Sequence, residues 1–278
     1  MSRLFGVFSH AAGPVAPLLH LVEDRCRISA QVNRHGYGMG YAHAGDVLLQ
    51  RRPQVRDLAV DLSVAAADIR TNAFLAHVRR AEVGGLKFEN TQPFRFGPWL
   101  FAQVGTLPGA PELYDRVRAQ LPDSLARNLS GETDAEHFFH LFLSRLNDEG
   151  ISPRLWSAEP ARVARTLGTT LTAWLLSGAQ ADRDHPLELS ALLTNGQSFF
   201  ALSTGLPLWL LAVRPTPRAF EPLPLALEAP HGEISLGLPG AVVIVDGPEG
   251  PPGSTRVPAH SVVILDRDFR LTWHPAQL

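Results

Sequence analysis

A chain of 278 residues, 45% hydrophobic and 19% charged, has the apolar material for a sizeable core and is too hydrophobic for a disordered polymer. Its net charge of −2 leaves no basic footprint for nucleic acid or for an anionic membrane surface. Cys26 is the only cysteine, which excludes an internal disulfide or a thiolate cluster and suits a reducing compartment.

At the start of the chain Arg3 is followed by neither a long apolar core nor a small-residue cleavage site, so no secretory leader is read there. No apolar run approaches a membrane span, and a cytoplasmic protein is expected. Residues 4–8 instead read as a short buried strand. Residues 36–42 and 46–51 form a second pair of predicted strands, joined through His43, Ala44, Gly45 and Asp46 as a hairpin turn. Residues 71–78 and 99–104 follow as apolar strands. Helices begin with 112–120, which Pro122 ends. A stronger helix starts at Thr133, where Thr133 and Glu136 have capping-box spacing and Phe138, Phe139, Leu141, Phe142 and Leu146 supply a broad buried face. A third covers 159–179, with Gly168 inside it. Strands then return at 189–194 and 198–202, flanking the hairpin dipeptide Asn195-Gly196, and at 208–213, 241–245 and 260–265. Sheet, helices and sheet with no repeat and no long linker predict one α+β layered domain over residues 1–278.

Several side chains invite a chemical reading. Ser2 stands directly behind Met1, and removal of Met1 would leave a hydroxyl nucleophile beside its own α-amine as base. His137 and His140, three apart on a helix beside Glu136 and Asp134, have a spacing that suits a metal, but no third convergent ligand is read, and no metal or cofactor is expected. Arg51, Arg52 and Arg56 read as a solvated strand end. Gly36, Gly38 and Gly40 lack the spacing and following helix of a phosphate loop. Cys26 and His77 read as structural residues.

The segments MSRLFGV, HGYGMGY, HVRRAEVGG, ENTQPF, FAQVGTL and SGETDAEHFF, in that order, resemble the class II glutamine amidotransferases of the N-terminal-nucleophile hydrolase superfamily, in their compact stand-alone bacterial form. LLTNGQSFFALS and VPAHSVVILD are similar to the second sheet of the same proteins. The resemblance implies a four-layer αββα sandwich of two antiparallel sheets, with the site at the sheet edge where the chain begins. It places the nucleophile at Ser2, where the family has Cys, and an oxyanion donor at the Gly105 amide. It assigns the carboxylate clamp to Arg79 and the α-amino contact to Asp134. Glutamine or a γ-glutamyl amide is the implied ligand, and any transfer of ammonia implies a separate synthetase or other protein partner.

Four positions depart from the family pattern. Ser2 replaces Cys, Val104 stands where Asn supplies an oxyanion donor, Gln92 replaces a His, and Glu82 replaces a Thr. Loss of one oxyanion donor costs roughly a hundred- to a thousandfold in rate. Two readings therefore stand: an amidohydrolase or amidotransferase with altered machinery, and a pseudoenzyme that keeps the fold as a binding or regulatory module.

Overall fold

The computed structural model describes residues 2–28, 35–53, 60–80, 84–109, 112–178, 187–217, 219–227, 229, 231–237 and 240–276. Among these, the strands assemble into two large antiparallel sheets and one two-stranded ribbon. The first sheet runs in the order Phe220–Leu223, Leu208–Pro215, Ala241–Asp246, Arg3–Pro14, Arg70–Val78, Tyr37–His43, Asp46–Arg52, with Thr255–Arg256 added alongside Leu208–Pro215. The second runs Gly232–Ser235, Arg270–Pro275, Ser261–Leu265, Phe199–Ser203, Ser190–Thr194, Trp99–Val104, Phe94–Phe96.

Side-chain alternation along each strand divides the core into three slabs. In Arg3–Pro14, Leu4 and Phe8 face the second sheet, whereas Phe5 and Val7 face outward under Leu18, Leu19, Val22, Leu62 and Ala66 of short helices. In Trp99–Val104, Leu100, Ala102 and Val104 face the first sheet, while Trp99 and Phe101 face outward under the helices Asp134–Asp148 and Pro160–Gly178. Helices, sheet, sheet and helices are therefore stacked in four layers, as expected. The outer slab of the second sheet is aromatic: Phe101 stacks on Phe139 at 5.4 Å between centroids, and Trp99 meets Phe142 edge-on at 6.0 Å. Each such buried ring contributes roughly 1.5–3 kcal/mol.

Local chemistry explains most boundaries. The hairpin between Tyr37–His43 and Asp46–Arg52 turns through Ala44 at φ 48° and Gly45 at φ 80°, the paired left-handed conformations of a tight hairpin turn. At the second hairpin, Asn195 Oδ1 accepts from Gln197 N (3.0 Å) and Ser198 N (2.9 Å), while Gly196 takes φ 77°. Thr133 Oγ1 caps its helix by accepting from Glu136 N at 3.3 Å. Glu136 does not return the bond to Thr133. Its carboxylate accepts from Ser130 N and Gly131 N and so pins the preceding loop.

Three expectations need correction. The first strand spans Arg3–Pro14, because a register shift between Phe8 and Gly13 lets it continue past the apolar run. The short helices Ala16–Leu19, Glu23–Cys26 and Leu62–Ala65 have no periodic signal of their own and form where they cover the first sheet. Arg51 is half-buried. Its guanidinium donates to Pro93 O (Nε to O, 3.0 Å) and lies over the rings of Phe88 and Phe94, so it ties a strand to the next sheet rather than meeting solvent. Arg56 and Glu82 lie outside the described residues. Among the described residues no helix is long and apolar enough to cross a membrane.

Candidate functional site

At one end of the sandwich, where the chain begins, lies a cavity of about 430 Å³. Ser2, Arg79, Gly105 and Asp134 all line it, together with His77, Gln92, Gln103, Val104 and Asp246. Four separate segments thus converge on one space.

The two central strands of the first sheet place the first pair. Arg3 pairs with Val78 and Leu4 with His77, and Ser2 continues the ladder by accepting from Arg80 N at 3.0 Å through its Oγ. Because Leu4 faces the second sheet, the period of two puts Ser2 on that same inner face. Ala73 and Leu75 face inward in the neighbouring strand, so His77 and Arg79 do too. Arg79 is buried, and its guanidinium donates to the carbonyls of Gly85 (2.8 Å) and Gly84 (3.1 Å). Burial lowers its pKa, and the charge of Asp134 opposes that shift.

The second sheet brings the rest. Trp99–Val104 ends in Gly105, whose φ of 90° carries the backbone away from the strand. A Cβ there would lie 2.0 Å from Glu188 O, so glycine is the one residue that fits. Gln103 points to the helix side of the sheet and donates from Nε2 to Asp134 Oδ2 at 3.0 Å. Leu107 N donates to the same oxygen at 2.8 Å. Asp134 occupies the first turn of its helix, where the dipole favours a carboxylate. Burial nevertheless pushes its pKa up to about 6, with the hydrogen bonds from Leu107, its own helix start and Gln103 pulling it back. Gln103 Oε1 is buried without a hydrogen-bond partner.

Two of the positions read as departures from the family pattern, Val104 and Gln92, have defined places among the described residues. Val104 is 4% exposed and packs between the sheets, offering the cavity a methyl surface and no donor. Gln92 makes a double bond to the backbone of Gln103: its Oε1 accepts from Gln103 N at 2.6 Å and its Nε2 donates to Gln103 O at 3.2 Å. Gly38, in the strand Tyr37–His43 of the first sheet, leaves room for that segment, since a Cβ there would lie 2.2 Å from Gln92 O.

Asp246 and His77 are two polar cavity residues that the amino-acid sequence did not mark for the site. Asp246 closes the apolar strand Ala241–Asp246, a charge at the end of a buried run, and that was the available signal. Its Oδ1 accepts from Leu4 N at 2.6 Å, its backbone carbonyl accepts from Arg25, and burial raises its pKa to about 6. His137 and His140 lie elsewhere, in the helical layer. Their Nδ1 atoms donate to Thr133 O and Glu136 O, and His137 stacks on Tyr114 at 4.2 Å. Among the described residues no three His, Cys, Asp or Glu side chains are grouped to hold a metal ion. Cys26 is fully buried, and burial pushes its thiol up to about 12.

Residues 1–223 match the family model described as glutamine amidotransferases class-II. A curated relative, an uncharacterized protein of Methanocaldococcus jannaschii, is 28% identical over 130 residues, 45% of this chain and 33% of its own length; the aligned stretch is about a third of that relative. Among solved structures, a glutamine aminotransferase class-II domain protein from Silicibacter pomeroyi superposes with a TM-score of 0.58 at 16% identity, over 97% of each chain. A predicted glutamine amidotransferase from Pseudomonas aeruginosa gives 0.55 at 17% identity, over 96% of this chain and 98% of that one. The glutamine phosphoribosylpyrophosphate amidotransferase of B. subtilis gives 0.55 at 14% identity, over 97% of this chain and 48% of that one. At these identities the structural likeness speaks to the fold, a two-sheet sandwich shared along the whole chain.

Proposed function

The chain belongs to the class II glutamine amidotransferase family, and on that premise we propose that its cavity binds glutamine or a related γ-glutamyl amide, with Ser2 as nucleophile once Met1 is removed. The observation that carries this reading is the convergence of Ser2, Arg79, Gly105 and Asp134 on one cavity. Arg79, held by the Gly84 and Gly85 carbonyls, supplies the guanidinium charge for the ligand's α-carboxylate. Asp134 is the acceptor for its α-ammonium.

In this mechanism Ser2 Oγ attacks the carboxamide carbon and its proton passes to the Ser2 α-amine, a base with a reference pKa of about 7.7–8.0. The Gly105 amide donates to the oxyanion of the tetrahedral intermediate. Collapse breaks the C–N bond, ammonia leaves with the proton, and a γ-glutamyl ester remains on Ser2. Water then cleaves that ester, releasing the acid and restoring the hydroxyl. Ammonia either leaves to solvent or passes to a separate synthetase.

Two observations favour a second reading, a binding module without turnover. Val104 supplies no side-chain donor to the oxyanion, and Ser2 Oγ already accepts a hydrogen bond from Arg80 N. One set of measurements separates the readings. Intact-mass analysis reports whether Met1 is removed, and a retained Met1 rules out the mechanism, since the amine is then an amide. Ammonia release from glutamine by the unmodified chain supports the enzyme. Release only after Ser2→Cys and Val104→Asn together supports the binding module. In either case Arg79→Ala should weaken ligand binding at least about tenfold, the scale of one lost charge-assisted hydrogen bond, and unchanged affinity would remove Arg79 from the site.

A further inference from the structure

The cavity extends to both sides of Ser2. The strand Arg3–Pro14, which Ser2 leads into, runs between Arg70–Val78 and Ala241–Asp246, with Leu208–Pro215 next beyond. The glutamyl contacts proposed above lie to one side, at Arg79, which follows Arg70–Val78, and at Asp134, whose charge acts on Arg79. On the other side Asp246, Gly247 and Pro248 line the same cavity, together with Leu206 and Pro207 at the entry to Leu208–Pro215. At about 430 Å³ the space falls within the roughly 300–1,000 Å³ of pockets that hold ligands of drug size. Free glutamine, with only an NH₂ beyond its carbonyl carbon, would leave the second side empty.

Arg3 gives that second side its chemistry. It lines the cavity and is half-buried, and among the described residues no hydrogen bond or ion pair holds its guanidinium. A Cβ on Gly247 would lie 3.3 Å from Arg3 Nη1 and 2.7 Å from Arg25 Nη1, so two guanidinium groups crowd one face of that glycine. Arg25 is well served. It donates to the carbonyls of Asp246 (2.7 Å) and Glu249, and the charges of Asp246, Glu249 and Asp24 oppose the lowering of its pKa by burial and by Arg3. Asp246, the acid that feels both arginines, has its Oδ1 committed to Leu4 N. Arg3 is thus left as a cation held against a like charge on the cavity wall, an arrangement that an entering anion relieves. Arg80, exposed and lining the same cavity, adds a guanidinium that has no ion pair among the described residues.

We propose that the cavity takes a γ-glutamyl amide whose nitrogen carries a carboxylate-bearing substituent, with Arg3 binding that carboxylate on the side of Ser2 away from Arg79. This deepens the γ-glutamyl reading given above and rests on it. Arg3 is the chain neighbour of Ser2, with Cα atoms about 3.8 Å apart, so its side chain is in reach of a group attached directly to the amide nitrogen. A guanidinium fork matches a carboxylate, and Leu206, Pro207 and Pro248 offer apolar surface to the carbon atoms between.

Calorimetric titration of the full chain with γ-L-glutamylglycine, with its neutral counterpart γ-L-glutamylglycinamide and with L-glutamine tests the assignment. The wild type should bind the glycine compound about tenfold or more tightly than the glycinamide, the scale of one charge-assisted hydrogen bond, and the preference should shrink as salt is added. Arg3→Met should abolish the preference by weakening the glycine compound, while the glycinamide and glutamine each change by no more than about twofold. Arg3→Lys, which keeps the charge without the fork, should retain part of the preference and covers the case in which methionine does not fold. Equal affinity of the wild type for the two dipeptide ligands, or a preference that survives in Arg3→Met, overturns the proposal. If the two bind equally and Arg79→Ala weakens all three ligands, this inference fails and the γ-glutamyl reading stands. If the wild type binds none of the three, both fail together.

Discussion

Replacing Gly105 by alanine should destabilise the protein by about 2–5 kcal/mol, and the structure separates that cost into two parts. The first is conformational: at φ 90° an L-residue is strained, worth roughly 1–2 kcal/mol. The second is steric. The new methyl would stand 2.0 Å from Glu188 O and 3.0 Å from both Glu188 C and Leu189 Cα, all backbone atoms that no rotamer change can move. Relief requires the segment leading into Ser190–Thr194 to shift away from Trp99–Val104, where Val104 pairs with Ser190, and such overpacking typically costs about 1–3 kcal/mol. Gly45 is the internal control. It has φ 80°, but a methyl added there would meet nothing within 4 Å, so Gly45→Ala carries the conformational part alone. Urea unfolding followed by circular dichroism measures both variants against the wild type. A Gly105→Ala loss no larger than that of Gly45→Ala would refute the close approach, and with it the argument that only glycine can present this amide to the cavity.

Two further outcomes are expected. Asp134 and Asp246 have pKa values raised by burial from 3.8 to about 6, so the native state holds more protons than the unfolded chain between those values. Stability should therefore fall as pH rises from about 4 to about 6, by about 1–3 kcal/mol for each carboxyl, and Asp134→Asn should make the decline shallower in urea titrations across that range; an unchanged slope would contradict it. Ala44 holds φ 48° at the hairpin turn, so Ala44→Asn, which tolerates that conformation, should raise Tm with a gain of about 0.5–1 kcal/mol, and a lowered Tm would count against the turn geometry.

Much of this architecture was legible because it is local. The helix that starts at Thr133 was readable from one cap and a run of phenylalanines, and Asn195-Gly196 announced its hairpin, because both depend on residues a few positions apart. The short helices between residues 16 and 26 were not readable, since four-residue elements form only where the first sheet gives them a surface to cover. Arg51 misled for a related reason. Its sequence neighbours are polar and charged, but its partners Phe88, Pro93 and Phe94 arrive from a segment some forty residues away.

The same division runs through the cavity. The amino-acid sequence by itself was enough for the family and the layered α+β class, and the order of its short motifs named Ser2, Arg79, Gly105 and Asp134, which the fold brings to one cavity. Only the folded chain decided what surrounds them. It put Gln103 and Leu107 on the Asp134 carboxylate, turned Gln92 onto the backbone of Gln103, and brought Asp246 to the amide of Leu4 across 242 residues of chain. It also left His77 buried without a partner. A motif records side chains that are neighbours along a strand or a turn. Desolvation, hydrogen-bond satisfaction and shifted pKa values depend on which distant strands pack against that motif, and those neighbours are set only when both sheets have closed.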